Sequence, residues 1–126
     1  GDALKHWKAS KIVKAIARGF SPEHAMRLLD DETSFELIEM QEFVGKSENA
    51  MRTKRGRVIG EHGMARERIE RDTGANISVY GKTIGIIGRP NEIEQARAAV
   101  TMLLEGSGHE SVFQRLERPS EERFEL

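Results

Sequence analysis

Residues 75–88 read ANISVYGKTIGIIG, and they limit the possible folds more than any other stretch of the chain. Two runs rich in β-branched residues, 76–80 and 83–88, are separated only by Gly81 and Lys82. A two-residue Gly-X connection suits a type II′ turn, so the stretch predicts an antiparallel hairpin. The segment SFELIEM, 34–40, shows period-two character at Phe35 and Leu37, then Ile38 and Met40, and predicts a further strand. Pro90 opens a helix whose Ile93, Ala96, Val100, Leu103 and Leu104 form one stripe, ended by Gly106, Ser107 and Gly108. That helix can cover one face of the sheet.

The remaining elements are helical. Leu4, Trp7, Ile12, Ala15 and Ile16 recur at helical spacing from Ala3 to Arg18, opposite most of the lysines, and predict an amphipathic helix ended by Gly19. Ser21 and Pro22 supply an N-cap and first-turn proline for a short second helix through Ala25, Met26, Leu28 and Leu29. This pair reads either as a DNA-binding helix-turn-helix or as a helical hairpin packed on a neighbouring domain. Glu23, His24 and Arg27 are a poor set for reading base edges, which favours the hairpin and gives no expectation of DNA. Ser47 to Ile59 and Met64 to about Thr73 read as two more helices, with Ser47 or Asn49 near the first cap and Gly74 closing the second. A last short helix, Ser111 to Glu117, precedes Pro119 and a charged tail expected to lack structure.

Between the two central helices lies GRVIGEHG, residues 56–63. Gly56 is expected to permit close approach near the end of the first of them, while Gly60 and Gly63 frame a sharp junction. Amides at the start of the second helix, aided by its dipole, favour an anion there. Ile69, one helical turn further, is expected in the core.

Charge is distributed in blocks behind a net value of −1. Residues 1–29 hold six basic against two acidic residues, 30–42 six acidic and none basic, and 46–71 eight basic against four acidic. The junction therefore lies in a positive block, which is either a binding surface or plain solvation of helices. Length is 126 residues, which allows one compact domain with appended helix. The chain opens on Gly1 and is read as a piece of a longer protein. Absence of cysteine removes disulfides, thiol chemistry and cysteine-bound zinc, and fits a cytoplasmic protein. No apolar run reaches membrane-spanning length, so no membrane is expected. His6, His24, His62 and His109 show no metal-binding spacing, and Ser47, Ser78 and Thr83 no nucleophile pattern. No enzyme activity, catalytic residue, metal or cofactor is expected.

GRVIGEHGMARERIERDTGANISVYG followed by TIGIIG resembles the KH domain, whose signature is an aliphatic-Ile-Gly-x-x-Gly loop between two helices. The element order resembles the type I form: α+β, β-α-α-β-β-α, a three-stranded antiparallel sheet packed on helices, here with an N-terminal helical hairpin and a short C-terminal helix. GFSPEHAMRLL, FVGKSENAMRTKRGRVIG, ISVYGKTIGIIG and MLLEGSGHESVFQRLE look like the archaeal and eukaryotic rRNA-processing factors of the Dim-two or partner-of-Nob-one family. The resemblance implies that residues 1–30 are a helical remnant and linker from a preceding domain, 31–118 a second KH domain with its C-terminal helix, and 119–126 a flexible tail.

It also implies binding of single-stranded RNA near the 3′ end of small-subunit rRNA during ribosome maturation. In KH domains the loop clamps the backbone of about four nucleotides. Gly60, Glu61, His62 and Gly63 would then hold phosphates, Ile59 and Ile77 would line an apolar groove, and Arg57 would lie near the RNA backbone. Arg66 stands where the generic pattern has an aliphatic residue, either entering the groove to stack or bond a base, or remaining a surface charge. Glu61 places a carboxylate beside the phosphate position, which lowers affinity unless Arg57 or Arg66 offsets it. His62 is either a neutral spacer or a pH-sensitive phosphate contact. Implied protein partners are the endonuclease Nob-one and, in archaea, the alpha subunit of translation initiation factor two. The rival reading is a protein-interaction scaffold in ribosome biogenesis or translation initiation, using the acidic stretches 30–42 and 105–126.

Overall fold

The computed structural model describes residues 2–118. Strands β2 (Asn76–Tyr80) and β3 (Thr83–Gly88) form the expected hairpin, closed by the Tyr80–Thr83 pair. Gly81 takes φ of +57°, whereas Lys82 does not enter the positive region, the signature of a II′ turn. Strand β1 (Ser34–Glu39) pairs antiparallel with the other side of β3, giving the order β1-β3-β2. Every residue of β3 is buried, so this strand must be covered on both faces.

One face carries the main core. Ile84 and Ile86 of β3, with Ile38 of β1 and Ile77 of β2, pack against the helices α4 (Glu48–Ile59), α5 (Met64–Thr73) and α6 (Pro90–Leu104). Val58 and Ile69 come from α4 and α5, while Ile93, Ala96, Val100, Leu103 and Leu104 are the inward stripe of α6. A single-turn helix α3 (Gln41–Val44), not evident from the sequence, joins β1 to α4. Ser47 caps α4 by accepting the Ala50 N–H at 3.3 Å, and Gly74 ends α5 in the left-handed region. Helix α7 (His109–Glu117) begins two residues earlier than expected and seals the core edge with Val112 and Leu116. The tail, 119–126, lies outside the described residues.

The other face is covered by the N-terminal segment: α1 (Asp2–Ala17), α2 (Pro22–Ala25) and a 3-10 turn (Met26–Leu29). With α2 one turn long, no recognition helix exists there, and the pair is a hairpin packed on the sheet of residues 34–88. Ala15, Phe20, Ala25 and Leu28 pack on Ile87. Gly85 makes room for Phe20: a Cβ on Gly85 would lie 2.7 Å from the Phe20 ring. That ring meets Phe35 edge-on at 5.8 Å. Ser78 donates its hydroxyl to the Arg18 carbonyl (2.8 Å), and Arg27 donates to the Gly74 carbonyl, Asn76 Oδ1 and Glu92 Oε1 at 2.9–3.0 Å.

The expected apolar stripe of α1 is only partly used. Ala15 is buried and Ile12 half-buried, but Trp7, Leu4 and Ile16 are 56%, 46% and 41% exposed. The covered sheet face is narrow and reaches only the end of α1, and Lys11 shields the Trp7 ring at 3.9 Å. Lys8 fastens the helix to the chain after the 3-10 turn, bonding the Leu29 carbonyl at 3.0 Å and pairing with Asp31. The hydrogen bond from Lys8 to the Asp31 carboxylate, and then the Lys8 charge, hold that carboxyl below its ordinary value against the opposing effect of desolvation. The stabilisation is present above the ordinary carboxylate range near about pH 4 and is lost as pH falls through the lowered value.

Phe20→Ala removes the ring that fills the space over Gly85, and a loss of about 3 kcal/mol or more is expected. Urea unfolding followed by both Trp7 fluorescence and circular dichroism should show one shared, shifted transition. Two separate transitions would show that hairpin and sheet unfold independently.

Candidate nucleic-acid interface

The junction between α4 and α5 is a tight turn whose shape is set by its glycines. Gly60 closes α4 with its N–H on the Gly56 carbonyl at 2.8 Å. It then takes φ of +76°, and a Cβ there would lie 2.6 Å from the Ala65 Cβ and 2.7 Å from the Ala65 nitrogen. Glu61–Gly63 form one 3-10 turn, in which His62 and Gly63 are left-handed (φ of 56° and 76°) and the Gly63 N–H bonds the Gly60 carbonyl at 3.2 Å. The side chains of Glu61 and His62 project into solvent, 88% and 83% exposed, with 3.7 Å between His62 Nε2 and the Glu61 carboxylate. Helix α5 therefore starts from an open backbone turn with its positive dipole end facing outward.

Gly56 differs from the expectation. It is helical and exposed, and among the described residues a Cβ on it would meet no atom within 4 Å.

Beside the turn runs a groove of about 380 Å³. Ile59, Ile77 and Val79 give it an apolar lining, and Arg66 stands at its side. Three of the sequence candidates, Ile59, Arg66 and Ile77, thus meet in one place. Arg66 is held by a long hydrogen bond to the Ile77 carbonyl (3.4 Å) and by Glu70 at 3.6 Å. The Ile77 N–H donates to Glu70 Oε2 at 2.7 Å. Both backbone groups of Ile77 therefore face away from β3, and by strand alternation those of Val79 face the same way, toward the groove. An outer strand edge beside an apolar floor offers a donor and an acceptor to the rim of a flat ligand.

Arg57 goes elsewhere. Its guanidinium bonds the Ser107 carbonyl, and its own carbonyl meets His109 Nε2 at 2.7 Å, so it ties α4 to the start of α7. Other cations of the positive block are similarly engaged: Arg55 with the Gly81 carbonyl at 2.8 Å, Arg68 with Glu117 at 2.7 Å and with the Phe113 ring. Arg68 also lines a cavity with Gly60 and Glu61, but among the described residues neither Arg57 nor Arg66 pairs with Glu61. Gly19, Phe20, Ser21 and His24, from the N-terminal hairpin, also line the groove. Sequence reasoning missed them because nothing local in GFSPEH reports proximity to a strand some 55 residues later.

The helix–GEHG–helix unit set against a β1-β3-β2 antiparallel sheet defines a type I KH domain. Residues 34–121 match the family model for the second KH domain of PNO1, described as a eukaryotic type KH-domain (KH-domain type I). The chain is 45% identical over 129 aligned residues to a KH domain-containing protein of Methanocaldococcus jannaschii, spanning 99% of this chain and 56% of that relative. Among solved structures it superposes on Dim2p from Pyrococcus horikoshii OT3 with a TM-score of 0.86 and 47% identity, covering 93% of this chain and 68% of Dim2p. A second match is the a/eIF2alpha-aDim2p-rRNA complex from the same organism, with a TM-score of 0.85, 46% identity, and 92% and 63% coverage. A protein of unknown function from Aeropyrum pernix gives 0.87 and 40%, with 92% and 61% coverage. The chain belongs to the PNO1/Dim2 family of archaeal-type KH proteins, a family of RNA-binding domains rather than of enzymes.

Two glycine substitutions should act with opposite sign. Gly60→Ala forces a side chain into a positive-φ position against Ala65 and should cost at least about 1–2 kcal/mol. Gly56→Ala adds a helix-favouring residue in open space and should stabilise by up to about 1 kcal/mol. Thermal unfolding midpoints of the two variants check both.

Proposed function

We propose that this chain is a single-stranded RNA-binding module acting at the 3′ end region of small-subunit rRNA during ribosome maturation, in the cytoplasm. The observation that carries the reading is the open Gly60–Gly63 turn set directly beside an apolar groove lined by the outer edge of β2. The turn takes phosphates on its backbone, and the groove takes bases. The relative aDim2p occurs in a complex with rRNA and a/eIF2alpha, which supports both an rRNA ligand and the alpha subunit of initiation factor two as a protein partner. The endonuclease Nob-one is proposed as a second partner, from the family resemblance. Residues 1–30 are proposed to be the end of a preceding domain, from the family resemblance and from the match of residues 34–121 to a second KH domain.

A protein-interaction role is favoured by one surface. The outer side of β1 and the following turn present Glu39 and Glu42 beside the exposed Leu37 and Phe43, with Arg97 behind them. This acidic, partly apolar side repels RNA and is available to a protein while the groove is occupied.

Binding of a short RNA from the rRNA 3′ end should weaken with salt on a shallow slope of about −2, as for two to three phosphates. Joint Glu61→Asp and His62→Asp substitution should abolish binding with the thermal midpoint retained, because Asp tolerates the left-handed position and adds charge at the clamp. Fluorescence anisotropy at matched ionic strength checks both, and parent-like affinity in the double variant would remove the turn from the interface.

A further inference from the structure

We infer that the N-terminal helical hairpin forms one wall of the base-binding groove, with the His24 imidazole as a stacking surface for a nucleobase. The inference rests on the RNA-binding reading above and adds a residue outside the helix–loop–helix unit and its sheet. Four hairpin residues, Gly19, Phe20, Ser21 and His24, line the same groove as Ile59 and Ile77.

The hairpin is placed rigidly enough to serve as a wall. Gly19, with φ of +95°, lies so close to β2 that a Cβ on it would be 2.6 Å from Ser78 Oγ, and that same hydroxyl bonds the Arg18 carbonyl at 2.8 Å. The Phe20 ring is turned inward over Gly85, which anchors the turn from below. Ser21 Oγ accepts the His24 N–H at 3.2 Å and fixes the first turn of α2. Position 24 is thereby held relative to Ile77 and Val79.

The His24 ring itself is unused by the fold. It is half-buried, yet among the described residues its imidazole makes no hydrogen bond, ion pair or ring contact. A flat ring left idle beside an apolar floor, with Arg66 lining the same groove, matches the faces and edge of a base. Stacking satisfies the faces, and the outward backbone of Val79 meets the edge. Phosphate is the poorer occupant, because the Arg66 guanidinium is already held by Glu70 and the Ile77 carbonyl, while Ile59, Ile77 and Val79 offer no donors from their side chains.

The test uses the same labelled RNA, the chain itself and two variants. His24→Ala should bind roughly tenfold more weakly, as for one lost stack, while His24→Phe, which keeps a flat ring, should stay within about threefold of the parent. Both should keep the parental thermal midpoint and salt slope. A series of RNAs with one abasic nucleotide at each position then identifies the partner. At one position the abasic substitution should weaken the parent about tenfold and the Ala variant hardly at all, since the two changes remove one contact. Parent-like affinity of His24→Ala, equal loss in the Phe variant, a salt slope reduced by about one, or full additivity at every position overturns the stacking wall and leaves RNA binding standing. A parent chain that binds no RNA overturns both.

Discussion

The central strand TIGIIG must be shielded from water on two sides at once, and most of the architecture follows from that. Its odd and even residues face different partners. Ile84 and Ile86 enter the three-helix core, while Gly85 and Ile87 face the N-terminal hairpin. A three-stranded sheet is too small to bury its second face by itself. The aromatic contact of Phe20 over Gly85, braced by Phe35, supplies the missing cover. Replacement of Gly85 by any larger residue would leave no place for that ring, so a small residue in the sheet fixes how closely the hairpin approaches.

The groove is a by-product of the same packing. Its floor belongs to β2 and the end of α4, and its opposite wall belongs to the hairpin turn that covers β3. Holding the sheet together and shaping the groove are therefore not separable functions of residues 19–24. A loosened hairpin would widen the groove before it exposed the core, since Gly19 and Ser78 meet at the groove margin whereas Ala25 and Leu28 lie deeper.

What the sequence disclosed was chiefly local. Gly81-Lys82 between two β-branched runs named the hairpin, Pro90 and the stripe after it named α6, and the caps at Ser21, Ser47 and Gly74 appear as expected. The GEHG turn was legible because its glycines are forced by backbone geometry. Interactions set by distant carbonyls were not legible. Arg57 bonds the carbonyl of Ser107 and Arg55 that of Gly81, and any residue type at those positions would present the same acceptor. Gly56 and Gly60 look alike in the sequence, yet one sits against open space and the other against Ala65. Likewise the helical periodicity of α1 identified the helix but overstated its buried face, because periodicity records amphipathicity and not the extent of the surface available to cover it.

The electrostatics of the turn set it apart from a simple cationic clamp. The exposed Glu61 carboxylate sits in the turn itself, and Arg55, Arg57, Arg66 and Arg68 of the positive block are engaged by carbonyls, carboxylates and an aromatic ring. Attraction for phosphate must then come from backbone amides and the α5 dipole, a contribution of roughly half an elementary charge that fades within one turn. Such a clamp positions a backbone more than it attracts one. On the proposed reading, affinity is drawn from the groove, through burial of bases against Ile59, Val79 and their neighbours, terms that depend little on salt and strongly on strand flexibility. A duplex keeps its bases stacked on each other and has none to offer, so a clamp this weak, if it holds RNA as proposed, would favour single strands.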